Sequence, residues 1–242
     1  MNQQIKEKFY ITTAIAYVNA PPHIGFALEL VQADVVARYH RLLGRDTRFL
    51  TGTDEHGTKI VQTAKREHTT PKALVDKNAE LFKNLAMQLE VSFDDFIRTS
   101  DKKRHWPSVV KLWQKLLISN DLYKKSYEGL YCVGHESFLK ESDLVNGLCP
   151  DHQTKPEFLK EENYFFRLSK YTTKIIQLIE SNQLKTVPET RRNEILSLLK
   201  GGLEDVSFSR PREKLKWGIP VPGDETQTIY VWADALTNYI SA

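Results

Sequence analysis

Cysteine is nearly absent: the 242 residues contain two, Cys132 and Cys149. Two cysteines cannot make the disulfide framework that staples small secreted domains, and a reducing, cytoplasmic setting is the expectation. Long apolar runs are absent too. No stretch approaches the roughly 20 residues of a membrane span. The apolar segment that follows Lys6 and Lys8 is short and broken by polar residues, so it does not read as a secretory signal. There is no internal repeat and no low-complexity tract. Neither sign of charge is in excess: 34 Lys and Arg against 31 Asp and Glu leave a net charge of +3. That permits an RNA partner without arguing for one, because nucleic-acid binding is read from local basic clusters. Lys102-Lys103-Arg104 and Lys124-Lys125 read as solvated faces. A closing signal is missing as well. Tyr239-Ile240-Ser241-Ala242 lies inside what reads as a helix, with no Gly, Pro or capping residue, so the expectation is a piece of a longer protein.

What is present fits an ordinary globular chain, 40% apolar and 27% charged, long enough for one large or two modest domains. Phe9 to Thr13 reads as a strand. A helix is predicted from His23 to Gly44, with Leu28, Val31, Val35, Tyr39 and Leu42 on one side as its apolar stripe. Arg48–Thr51 reads as a second strand. Thr70-Pro71 reads as an N-cap and first helical residue, followed by a stripe of Leu74, Leu81, Leu85 and Leu89. Phe96–Thr99 reads as a third strand, and a third helix from Asp101 turns Val109, Val110, Trp113, Leu116 and Leu117 inward. Alternation of strands and helices is the pattern of a parallel α/β sheet. It breaks near residue 120. Residues 121–165 read as short, polar and turn-rich; 168–183 and 190–200 read as helices; Trp217–Gly223 reads as a rigid loop. Thr228–Trp232 reads as a returning strand, followed by the unfinished helix. An α/β domain split by an insertion follows, with boundaries at 1–119, 120–212 and 213–242. His40, His68 and His105 read as decorations of helix surfaces, while His56 reads as bordering a cleft without a catalytic part.

Pro22-His23-Ile24-Gly25 falls between the first strand and first helix. A helix amino terminus offers unpaired N–H groups and the positive end of a dipole, so anions are favoured there. Gly25 permits close approach of a ligand, and His23 can donate a ring N–H to a phosphate oxygen that gains charge in a transition state. The carboxyl end of the first strand is also where open α/β sheets bind ligands.

Six blocks carry a resemblance. They are Ala14-Ile15-Ala16-Tyr17-Val18-Asn19-Ala20-Pro21-Pro22-His23-Ile24-Gly25, Thr51-Gly52-Thr53-Asp54-Glu55-His56-Gly57, the segment 162–171, Arg191-Arg192-Asn193-Glu194, the segment 216–224, and Tyr230-Val231-Trp232-Ala233-Asp234-Ala235-Leu236. In this order they are similar to the methionyl-tRNA synthetase family of class I aminoacyl-tRNA synthetases. The resemblance implies a Rossmann-like, doubly wound parallel sheet with an inserted connective-peptide subdomain. It implies activation of methionine with ATP and Mg²⁺, then transfer to tRNA(Met), by a protein for which a monomer is favoured. It assigns Ala14, Ile15 and Tyr17, with Trp232, Ala235, Leu236 and Tyr239, to the methionine side chain. Asp54 falls to the ammonium group, Asn19, His23 and Gly25 to ATP, and His23 and Gly25 to catalysis.

Three departures stand out. Phe26 occupies the place of a usual second His, removing a phosphate donor of a kind worth about 100- to 1000-fold in rate. Ala16 and Ala233 replace bulkier side chains. The Lys-Met-Ser-Lys-Ser loop and the helical anticodon-binding domain that usually follow are not in the chain. Two other readings remain: a non-catalytic amino-acid-binding module derived from this fold, and a class I synthetase for isoleucine, valine or leucine. The modest insertion and the Trp217–Pro222 block disfavour the latter.

Cys132-Val133-Gly134-His135 and Cys149-Pro150-Asp151-His152 are two C-x-x-H pairs separated by 13 residues. Two such knuckles can place two thiolates and two imidazoles around one tetrahedral Zn²⁺. Cys132, His135, Cys149 and His152 are therefore read as a structural zinc set with no open coordination position.

Overall fold

The structure, a computed structural model, describes residues 6–135 and 137–242. The first segment runs β1 (Lys8–Thr12), β2 (Ala16–Tyr17), α1 (Ile24–Leu42), β3 (Asp46–Asp54), α2 (Thr58–Arg66), α3 (Pro71–Gln88), β4 (Asp95–Arg98) and α4 (Trp106–Ile118). All its strand pairings are parallel, with β3 at the centre. β1 and its continuation β2 lie along one side of β3, and β4 along the other. Parallel strands joined by helices are buried on both faces, which explains the uninterrupted burial of Phe49 to Thr53 along β3. Gly52 is required there: a Cβ would lie 2.0 Å from the Ile97 carbonyl oxygen of the paired strand. Among the described strands none lies beyond β1, and their order shows no reversal.

Helix starts follow the sequence closely. Thr70 Oγ1 accepts from the Ala73 N–H with Pro71 in the first turn, as predicted. α4 begins at Trp106 rather than Asp101, because Asp101 caps a separate turn by accepting from the Lys103 and Arg104 N–H groups, and Pro107 suits a first helical turn. The inward faces differ more. In α1 the buried residues are Phe26, Leu30, Ala33, Asp34 and Ala37, while Leu28, Val31, Val35, Tyr39 and Leu42 are exposed. In α3 the core is entered by Val75, Ala79, Phe82 and Ala86 beside Leu74, with Leu81 and Leu89 at the margin. In α4 it is Val109 and Trp113 that are buried, and Leu117 is exposed. On α1 and α3 the buried faces interleave alanines, Ala33, Ala37, Ala79 and Ala86, with larger residues.

The insertion holds two long strands where turns were expected: β5 (Leu122–Cys132) pairs antiparallel with β7 (Glu157–Phe166) over ten register positions, and β6 (Ser137–Leu139) and β8 (Val206–Ser207) flank them. The helices α5 (Thr172–Glu180) and α6 (Glu189–Lys200) pack together through Ile179, Leu196 and Leu199. Then β9 (Ser209–Pro211), β10 (Pro220–Val221) and β11 (Asp224–Ile229) form a small antiparallel sheet. The chain ends in α7 (Val231–Ser241), so Trp232 sits in a first helical turn and not in a strand. α7 packs on α4, beneath a core of Trp113, Leu122, Ile219 and Ile229. Among the described residues no helix is long and apolar enough to cross a membrane.

Candidate active site

The site gathers at the carboxyl ends of the parallel strands. The Tyr17↔Asp54 register places these two residues side by side where β2 and β3 end. Both line a cavity of about 310 Å³ together with Lys59, Gly134, His135, His152, Val231 and Trp232. Residues more than 200 positions apart thus share one concavity. A second contact group adjoins it. The Ile15 N–H donates to Tyr239 Oη at 3.3 Å, and the Tyr10 hydroxyl donates to the Tyr239 carbonyl at 2.7 Å. The Ala14 N–H donates to Glu29 Oε1 at 2.6 Å. Ala235 and Leu236 ride on the same helix, half-buried and exposed respectively, outside the cavity's lining. Asn19 is half-buried in the turn before α1.

The segment carrying Asp54 is held on every side. Glu55 is fully buried. Its carboxylate accepts from Thr53 Oγ1 at 2.6 Å, from Arg98 Nε at 2.6 Å and Nη2 at 2.9 Å, and from the Ser100 hydroxyl. Its N–H donates to Thr99 Oγ1 at 2.9 Å, and its carbonyl accepts from Trp217 Nε1 at 2.6 Å. Burial alone would lower the pKa of Arg98. Hydrogen bonds and charge from Glu55, then Asp76, reverse that and raise it, so the guanidinium stays charged. His56 contacts Asp234, discussed below. Asp54 therefore projects from a backbone tied to Thr99, Arg98, Trp217 and Asp234 through its two following residues.

At the helix terminus, His23 is the N-cap of α1, and its Nδ1 accepts from the Gly25 N–H at 3.1 Å. An accepting Nδ1 fixes the neutral tautomer with its proton on Nε2, leaving that N–H to point outward from an exposed side chain. Phe26 does not share this terminus. It is buried against Phe82, with ring centroids 4.8 Å apart, and belongs to the core. The terminus thus offers one imidazole donor along with backbone N–H groups.

Cys132, His135, Cys149 and His152 converge, with candidate ligand atoms all within 4.8 Å of one another. Cys149 Sγ lies 3.5 Å from Nδ1 of both His135 and His152, and Cys132 Sγ lies 3.8 Å from His152 Nδ1. A tetrahedral ion with Zn–S near 2.3 Å and Zn–N near 2.0 Å has S···N edges of about 3.5 Å, so the spacing fits. His135 Nε2 lies 2.8 Å from Asp151 Oδ2, which favours Nδ1 as its ligating atom. Gly134 leaves room for the His152 ring, which a Cβ would meet at 2.3 Å.

Sequence reasoning missed the contribution of His135, His152 and Lys59 to the cavity, the Glu55–Arg98 pair and the part of His105. Far from decorating a surface, His105 is fully buried. Of the other two histidines expected on helix surfaces, His40 is half-buried and stacks on Phe9 with ring centroids 3.4 Å apart, while His68 is exposed.

Known proteins share this chain's sequence and fold. A family profile described as tRNA synthetases class I (M) matches residues 9–155 and 152–242. Methionine–tRNA ligase of Brucella suis is 48% identical over 241 residues, which is 98% of this chain and 46% of that protein. The Thermotoga maritima enzyme is 45% identical, covering 97% of this chain and 38% of its own length. Among solved structures, Mycobacterium tuberculosis methionyl-tRNA synthetase bound by methionyl-adenylate superposes with a TM-score of 0.91 at 43% identity, over 97% of this chain and 47% of that one. The chain spans about half the length of these relatives. It belongs to the class I tRNA synthetases of the M group, the methionyl-tRNA synthetase family.

Proposed function

We propose that the intact gene product is a methionine–tRNA ligase and that this chain supplies its amino-acid pocket and one end of its ATP site. The observation that carries the reading is the cavity shared by Tyr17, Asp54 and Trp232. A carboxylate on a fixed loop suits an ammonium group, and aromatic rings around a thioether contribute about 0.3–1.5 kcal/mol each. Ala14, Ile15, Ala235, Leu236 and Tyr239 complete the side-chain pocket in this proposal. His23, Gly25 and Asn19 serve ATP, with the His23 Nε2–H donating to a phosphate oxygen. A methionine carboxylate oxygen attacks the α-phosphorus, a P–O bond forms, and the bond to the β-phosphate breaks with pyrophosphate as leaving group. A terminal tRNA hydroxyl then attacks the acyl carbon and AMP leaves. The protein acts by positioning and charge stabilisation. Mg²⁺ accompanying ATP would neutralise phosphate charge.

The division at 1–119, 120–212 and 213–242 and the doubly wound sheet belong to the same proposal, as do a cytoplasmic, monomeric protein and tRNA(Met) as substrate. So does a structural Zn²⁺ on Cys132, His135, Cys149 and His152, supported by the tetrahedral edge lengths. The experiment is methionine-dependent exchange of pyrophosphate into ATP by the intact gene product, with isoleucine, leucine and valine as controls. Exchange with methionine alone is expected. One observation favours a second reading: Phe26 turns into the core and leaves the helix terminus a single imidazole. Methionine binding without exchange would establish that reading, a binding module, in place of the ligase.

A further inference from the structure

α7 has two chemically different faces. Its inner face carries Asp234, Thr237 and Asn238, with Val231 buried beside them, while Trp232, Leu236 and Ile240 lie on the outer face. A buried carboxylate on the inner face needs partners there.

The partners form a buried three-residue bridge. Asp234 Oδ2 lies 2.5 Å from His56 Nδ1, and Asp234 Oδ1 lies 2.6 Å from His105 Nε2. All three side chains are at most 3% exposed. His56 follows Asp54 by two residues, and His105 precedes α4. The second nitrogen of His105, Nδ1, lies 2.8 Å from Ser241 Oγ, two helical turns beyond Asp234 on α7. One imidazole thus grips α7 at both ends of its inner face. Burial would push the Asp234 carboxyl up. The imidazoles, His56 foremost, outweigh burial and hold it below the usual carboxylate range. A buried carboxylate stripped of such partners is strongly unfavourable, so the bridge disfavours rotations of α7 that would break it.

We propose that the His56–Asp234–His105 bridge sets the rotation of α7 about its axis, making Asp234 a positioning residue that holds Trp232, Leu236 and Tyr239 toward the amino-acid pocket. The consequence for methionine rests on the function proposed above; the rotation itself does not. The spacing supports it: residues 232, 236 and 239 share one helix face, and 234, 237, 238 and 241 share the opposite one.

Two measurements on Asp234→Leu test this separately. Hydroxyl-radical footprinting of the intact gene product should show Thr237 and Asn238 protected in the natural protein. In the variant the labelling of Trp232 and Leu236 relative to that of Thr237 and Asn238 should fall at least threefold. A general loss of stability would raise labelling everywhere instead. In the intact gene product, the methionine KM should rise at least tenfold with the ATP KM within twofold. If Asp234→Leu does not fold, His105→Gln and His105→Leu replace it. Gln keeps an N–H donor and should retain the natural footprint, whereas Leu should not. An unchanged footprint at residues 231–241 overturns the bridge's role. If the natural protein shows no dependence on methionine, the function proposed above fails and the footprint alone decides the bridge.

Discussion

Replacing Arg98 by Met tests how firmly the Asp54 loop is held. Arg98 makes two charge-assisted hydrogen bonds to Glu55 and a third, at 2.7 Å, to the partly exposed Asp76. Met keeps the aliphatic stem and removes the charge. Glu55 would then be a fully buried carboxylate with only the Thr53 and Ser100 hydroxyls as side-chain donors. Removing one partner of a buried ion pair costs about 3–5 kcal/mol, because the other charge is left uncompensated. For a domain of this size that corresponds to a thermal midpoint lowered by roughly 6–20 °C. Glu55→Gln should cost less, about 1–3 kcal/mol: it leaves no buried anion, and Arg98 keeps Asp76 and access to water. The assay is differential scanning calorimetry of both variants beside the natural chain at neutral pH. An Arg98→Met loss below about 1 kcal/mol, or one no larger than that of Glu55→Gln, would refute the reasoning that the pair is energetically buried.

Three further outcomes are expected. Gly52→Ala sets a Cβ against the backbone of β4 with no side chain to move aside, so it should cost about 3 kcal/mol or more, read as a lowered thermal midpoint or loss of soluble protein. Asp151→Asn weakens the hydrogen bond that orients His135, and zinc affinity measured against a chromophoric chelator should fall about 10- to 100-fold, with Cys132→Ser abolishing the site. Asp121 is held at about 2 by the Lys170 ammonium and the Ser119 and Tyr171 hydroxyls, and Asp224 at about 2 by Lys124 and Thr226. Folded values below the unfolded value near 3.9 contribute stability above about pH 4 that is lost as pH falls toward 2, so acid unfolding in that window should flatten in Asp121→Asn.

The parallel α/β order was legible because each helix and strand of the first segment carries its own local signals, such as Thr70-Pro71 before α3. The faces were not. α1 has two interleaved apolar series, 26-30-33-37 and 28-31-35-39-42, and periodicity alone favours the bulkier one. The sheet selects the smaller one, where Ala33 and Ala37 permit close approach. The β5–β7 ribbon was missed because its middle is solvated on both faces: Lys124, Lys125, Ser126, Glu128, Lys160 and Glu162 are exposed, so no period of two is written there. Cys132, His135, Cys149 and His152 converge as their spacing suggested, since a knuckle is a local feature. The His105–Asp234 contact spans 129 residues, and nothing local marks it.

The two halves of the proposed chemistry differ in how completely this chain builds them. The wall bearing Asp54 is fixed by Glu55 on one side and His56 on the other, and each is tied to a different later segment: Glu55 to β4 and Trp217, His56 to α7. Trp232 and the knuckle imidazoles line the same cavity as that wall. These parts come from four separate stretches of sequence, and they are rigid because the bonds joining them are buried. The phosphate end has one helix terminus and one outward imidazole, with its fourth motif residue committed to the core. Preorganisation lowers the cost of binding only where the parts are already in place. In this proposal the amino-acid end meets that condition within residues 14–239, and the phosphate end meets it through His23 and the first turn of α1. Affinity for the amino acid should therefore survive in this chain more fully than affinity for the nucleotide.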